Sequence, residues 1–162
     1  MIYRHILPGE GTEAAAIDRA CFPPNEAEAP GYIIARAENV PELFLVAYDQ
    51  EKRRMAGNIN GIATGEARFS DRFFTDLSLH DPLGENVMIL SLEVLPEYRG
   101  QGVGRELMSR FAAETRKQGR RRLVLICLDA LVCMYTGMGF ADNGTADSSW
   151  GGEAWHEMEL FL

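Results

Sequence analysis

The chain has 162 residues, of which 46% are hydrophobic and 25% charged. That balance supports one domain with its own core, over 1–162, and excludes disordered, collagen-like and coiled-coil chains. Sixteen Lys and Arg against 24 Asp and Glu give a formal charge of −8, which argues against a nucleic-acid partner and suits a small cationic one.

The first residues, Met1 to His5, have no apolar stretch of the signal-peptide kind, and no run approaches a membrane span. A cytoplasmic protein without a membrane partner is expected. Cys21, Cys127 and Cys133 cannot all pair, and their spacing is not that of a metal site. Reduced thiols in a cytosol follow. The sequence leaves a homodimer open.

Residues 2–7 predict a strand and 14–20 a helix that ends at Pro23-Pro24. Asn25 and Glu28 have capping-box spacing. Pro30-Gly31 interrupts any helix begun there, so 22–31 is either a helix or a loop ahead of a helix over about 31–39. Residues 43–48 and 55–64 predict two strands joined by a charged turn, an antiparallel hairpin. Phe69, Phe73, Phe74 and Leu77 fall at helical spacing. Residues 87–95 form a nearly continuous apolar strand, and Gly102 onward a long amphipathic helix with Lys117 in its last turn and Gly119 beyond. Residues 123–128 predict a buried strand, 131–138 a short helix, and 153–160 a strand by alternation. The order is an α+β mixture whose central strand–turn–helix–strand unit favours parallel pairing.

Chemistry concentrates in Leu92-Glu93-Val94-Leu95-Pro96-Glu97-Tyr98-Arg99-Gly100-Gln101-Gly102-Val103-Gly104-Arg105. A strand stops at Pro96 and three alternate glycines open a helix. The first amides of a helix lack intrahelical acceptors and suit a phosphate or pyrophosphate. The overall negative charge does not forbid this, because distant charges are screened within about 8–10 Å. A Walker loop would need Lys and Ser or Thr after the glycines, where Arg105 stands. A dinucleotide fingerprint would need its third glycine at Arg105 or Leu107.

The run Arg99-Gly100-Gln101-Gly102-Val103-Gly104 instead resembles the R/Q-x-x-G-x-G/A signature of the GNAT acetyltransferases. Arg121-Arg122-Leu123-Val124-Leu125-Ile126-Cys127-Leu128-Asp129-Ala130-Leu131-Val132, with Tyr135 and Gly139-Phe140 beyond it, is similar to the arylalkylamine N-acetyltransferase branch. The resemblance implies a GNAT acyl-CoA N-acyltransferase fold (α/β/α), with a mixed central sheet and a parallel strand pair, 87–95 and 123–128, splayed around acetyl-CoA. It implies that the backbone of Leu92, Glu93 and Val94 pairs with the pantetheine arm. The amides from Gly100 to Arg105, with Arg99 beside them, hold the pyrophosphate. By the same analogy the Leu92 N–H polarises the thioester carbonyl and Tyr135, at the cofactor, protonates the leaving thiolate.

The branch carries two histidines on its central strand, where this chain has Met88 and Leu90. The base is then a water chain, a carboxylate such as Glu93, or a histidine elsewhere; for Glu93, His80 and His156 a structural role is the simpler expectation. Phe22, Tyr32, Phe73, Phe74, Trp150 and Trp155 are candidates for an apolar acceptor slot. The expected activity is acetyl transfer to a small primary amine, arylalkylamine or polyamine-like, by direct attack in a ternary complex. Acetylation of protein N-termini or lysines, and a silent acyl-CoA sensor, are the alternatives.

Overall fold

The computed structural model describes residues 1–162. In chain order the elements are β1 (Ile2–His5), α1 (Gly11–Cys21), α2 (Pro30–Asn39), β2 (Phe44–Asp49), β3 (Arg54–Thr64), α3 (Arg72–Thr75), β4 (Asn86–Val94), α4 (Val103–Lys117), β5 (Arg122–Cys127), α5 (Val132–Gly137), β6 (Ala141–Thr145) and β7 (His156–Phe161). The seven strands make one mixed sheet in the order β1-β2-β3-β4-β5-β7-β6. No helix is long and apolar enough to cross a membrane. The chain divides into two units, Met1–Gly61 with Ser91–Phe111, and Ile62–Leu90 with Ala112–Leu162.

In the first unit β1 pairs antiparallel with β2 and β2 with β3, as the hairpin pattern predicts. Phe44 to Ala47 are all buried, so β2 is covered on both faces. A Cβ on Gly11 would lie 3.1 Å from the Ile34 Cα, so a small residue there lets α1 and α2 pack closely. Residues 22–29 form no helix. Pro30 opens α2, where its fixed φ is already helical and its missing N–H has no role. The Asn25–Glu28 capping box does not form, because the Glu28 carboxylate is held by Arg36 at 2.6 Å. Gly57 on β3 approaches β4 so closely that a Cβ would stand 2.4 Å from the Glu93 carbonyl oxygen.

The second unit is built on a cluster of Ile62, Phe69, Phe73, Phe74, Met88, Leu90 and Val124, each side chain of this size contributing roughly 1.5–3 kcal/mol by burial. The β4–β5 ladder is parallel and pairs Asn86 with Arg122, Val87 with Leu123 and Met88 with Val124, with no further rung. β5 then runs antiparallel with β7, from Arg122–Phe161 to Cys127–His156.

Two expectations change here. The helix expected from Phe69 to Leu77 shrinks to Arg72–Thr75, because the Phe69 N–H donates to the Glu157 carboxylate at 2.8 Å and Asp76 caps a separate 3-10 turn over Leu77–Leu79. The strand expected over 153–160 begins only at His156, behind a 3-10 turn over Trp150–Gly152, and its Glu157 is buried. β6, an edge strand, is absent from the sequence reading.

Candidate active site

β4 ends where the Leu95 N–H donates to the Ala56 carbonyl at 2.8 Å and Pro96 begins a 3-10 turn over Pro96–Tyr98. The Tyr98 hydroxyl donates to Asp49 at 2.7 Å and fixes that turn to β2. The Arg99 Nε reaches back to the Val94 carbonyl at 2.8 Å, and the Gln101 amide to the Glu97 carbonyl at 3.1 Å. These bonds shape the chain from Val94 to α4 before any ligand arrives.

Within that frame Gly100 and Gly102 adopt φ of +73° and +81°, the left-handed region that side chains disfavour, and a Cβ at either would meet nothing within 4 Å. The first helical donor of α4 is the Glu106 N–H, bonded to the Gly102 carbonyl at 3.0 Å. The amides of Gly102, Val103 and Gly104 precede it. Left-handed glycines, open space above them and a 15-residue helix starting at Val103 fit a pyrophosphate. Arg99 and Arg105 stand exposed on either side in sequence.

Of the residues expected to meet a pantetheine arm, Leu92 and Val94 are half-buried and Glu93 is buried. The Val94 carbonyl already accepts from both Arg99 and the Cys21 thiol, the latter at 3.4 Å. The Glu93 side chain is closed inside: it accepts from the Asn58 amide at 2.7 Å and the Ser91 hydroxyl at 3.2 Å. Burial, then the charge of Asp18, push its carboxyl well above the ordinary range.

Tyr135, on α5 in the second unit, is 7% exposed and meets the Phe140 ring edge-on at 5.8 Å. Burial, reinforced by Cys127, raises its phenol far above the ordinary value, so it holds its proton throughout the physiological range. The Cys127 thiol is itself pushed up to about 11 by burial and by Asp142 and Asp129, which makes it an inert packing group.

Met88 and Leu90 lie in the aromatic cluster and take no proton. His80 Nδ1 accepts the Ala63 N–H at 3.1 Å, and His156 is bracketed by Asp129 and Asp142, both at 3.1 Å.

Of the aromatic candidates, Phe73 and Phe74 are core. Trp150 stacks on Phe74 with centroids 4.3 Å apart, and Trp155 donates its indole N–H to the Trp150 carbonyl at 2.9 Å. Ser149 N–H donates to Asp71 at 3.1 Å, tying the Trp150 loop to the start of α3. Phe22 is half-buried and Tyr32 exposed. Sequence reasoning missed the polar cluster around Glu93, which four separate stretches of chain assemble.

The model of the acetyltransferase (GNAT) domain matches residues 41–142. Serotonin N-acetyltransferase of Mesocricetus auratus is 28% identical over 164 residues, covering 99% of this chain and 77% of that protein. Among solved structures, the loading GNATL domain of CurA from Lyngbya majuscula superposes with a TM-score of 0.84 at 14% identity, covering 99% of this chain and 96% of that one. YncA from Salmonella typhimurium, solved with acetyl-CoA, gives 0.67 at 19% identity, covering 100% and 94%.

Proposed function

Because this chain belongs to the GNAT acetyltransferase family, we propose that it transfers the acetyl group of acetyl-CoA to a small primary amine by direct attack in a ternary complex. Acetyl-CoA is the cosubstrate of GNAT acetyltransferases and supplies the activated thioester. The observation that carries the reading is the pair of left-handed glycines opening α4, with nothing where their side chains would be. We read 1–162 as one acetyltransferase domain.

The amides from Gly100 to Arg105 bind the pyrophosphate and Arg99 supports the turn that presents them. Main-chain groups of Leu92, Glu93 and Val94 pair with the pantetheine arm. The Leu92 N–H donates to the thioester oxygen as negative charge develops there, a contribution of about 10²–10³ in rate for such donors elsewhere. The amine must arrive neutral, its proton lost through water, since Met88 and Leu90 are apolar. As the new C–N bond forms and the C–S bond breaks, the nitrogen gives up one further proton to water, while Tyr135 gives its proton to the sulfur and regains one from solvent.

A small amine of arylalkylamine or polyamine type fits the −8 chain, which favours a cationic acceptor. Three free thiols suit a reducing compartment and a cytoplasmic location. The buried Met88 and Leu90 favour a second reading, a silent acyl-CoA sensor.

The test mixes pure protein and acetyl-CoA with aromatic amines, polyamines and lysine- or N-terminus-bearing peptides, and follows free thiol. Release with small amines supports the proposal. Release with peptides alone makes this a protein acetyltransferase, and CoA binding without any release makes it a sensor.

A further inference from the structure

We propose that His156 is a positioning residue: its imidazolium ring staples Asp129 to Asp142, the two feet of the segment that carries Tyr135, and so fixes the Tyr135 ring. That this ring gives a proton to sulfur rests on the function proposed above; the staple does not.

All the groups concerned lie in the second unit. β5 ends at Cys127, and Asp129 opens a 3-10 turn over Asp129–Leu131 that leads directly into α5. Beyond Tyr135 the chain folds back, its carbonyl accepting the Met138 and Phe140 N–H groups at 3.0 and 3.1 Å, and β6 starts at Ala141. Tyr135 and its edge-on neighbour Phe140 therefore ride on an excursion from the sheet that leaves at Asp129 and returns at Asp142.

His156 is the first residue of β7, opposite Cys127 of β5 on one side and Thr145 of β6 on the other. Its Nδ1 lies 3.2 and 3.1 Å from the two Asp142 carboxylate oxygens, and its Nε2 lies 3.1 Å from an Asp129 oxygen. One ring thus reaches both feet. An ionised carboxylate only accepts, and a neutral imidazole donates from one nitrogen alone. With a carboxylate at each nitrogen, a neutral ring would turn a lone pair toward one of them. The charged ring carries an N–H on both sides and satisfies both. The Asp142 carboxylate is aimed by a further bond from the Gly144 N–H at 2.8 Å.

Hydrogen bonding to Asp142 raises the imidazole above its ordinary value, against the opposing effect of burial, and Asp129 adds to the rise. The Gly144 N–H, and then His156, hold the Asp142 carboxyl below the ordinary range. On β5 the facing group is the neutral Cys127 thiol. α5 contributes Cys133 and Tyr135 and no charged side chain. Glu157, next on β7, is engaged elsewhere by the Phe69 N–H. The folded ring binds its proton more tightly than the unfolded one. The staple is therefore complete below about pH 6.5 and is lost as pH rises through the raised value.

Three measurements on the full chain decide the matter. In nuclear magnetic resonance of the wild type, the His156 ring should carry two protons at about pH 6 and titrate with a midpoint above about 6.5. A midpoint at or below that ordinary value overturns the proposal, whether or not any variant folds. D129N and D142N should each lower the midpoint, and an unaltered midpoint in either overturns the staple. The Tyr135 ring signals, which sense the adjacent Phe140 ring, should follow the His156 titration in the wild type and stay still in H156Q. Ring signals indifferent to that titration overturn the positioning of Tyr135. In turnover, the ratio of wild-type to H156Q kcat should be about two- to tenfold at about pH 6, the scale of two exposed ion pairs, and approach one as the ring loses its charge. Ionisation of the amine cancels in that ratio, and KM for acetyl-CoA should be the same in both proteins. A ratio independent of pH overturns the positioning. If the wild type releases no thiol with any amine, the function proposed above fails, while the two resonance measurements still decide the staple and its hold on Tyr135.

Discussion

Gly102→Leu tests the amide cradle most directly, because the chain carries its own control. Gly102 has φ of +81° and Gly119, just beyond the other end of α4, has +82°; a Cβ at either meets nothing within 4 Å. The backbone strain of a leucine is therefore the same at both, about 1–2 kcal/mol for a left-handed L-residue. For a chain of this size that lowers the unfolding midpoint by roughly 2–8 °C. Only at Gly102 does the new side chain occupy the space above the first amides of α4. Losing two charge-assisted amide bonds, each about 1.5–3 kcal/mol, should weaken CoA binding by about 10²–10⁴-fold. Calorimetric titration with CoA and a thermal melt on both variants give the four numbers needed. A Gly102→Leu protein that binds CoA within about threefold of wild type refutes the cradle, as does an equal loss in Gly119→Leu.

Tyr135→Phe should lower kcat by about 10²–10⁴, the range for a positioned acid, with KM for acetyl-CoA unchanged. A rate equal to wild type at every pH removes Tyr135 from the reaction. Gly57→Ala places a Cβ 2.4 Å from the Glu93 carbonyl, so β3 must move away from β4. Urea unfolding should report a loss of roughly 1–3 kcal/mol, the scale of overpacking, and an unchanged midpoint contradicts the close approach.

What could be read from sequence was what the chain writes locally. The turn from Val94 to Arg105 carries its glycines, its proline and its helix within a dozen residues, and its form is the one expected. α2 begins at Pro30 because proline itself marks a first turn. Signals that depend on a distant partner misled. Glu28 has the spacing of a cap but spends its carboxylate on Arg36. Phe69 looks helical, yet its N–H is taken by Glu157, 88 residues away. The Asn58–Glu93 bond joins residues 35 positions apart, and nothing in the alternation of β4 distinguishes a buried glutamate from a solvated one. β6 was invisible because Ala141-Asp142-Asn143-Gly144-Thr145 has no large apolar residue to set a period.

That last strand has a bearing on how the sheet ends. β6 is outermost, its register slips between Asp142 and Thr145, and the Asp142 carboxylate curls back to its own Gly144 N–H at 2.8 Å while also meeting His156. An extended polypeptide seeking to add itself to this margin finds a short, kinked, acidic rail rather than a straight row of free amides. Strand addition at this edge therefore has little regular backbone to pair with.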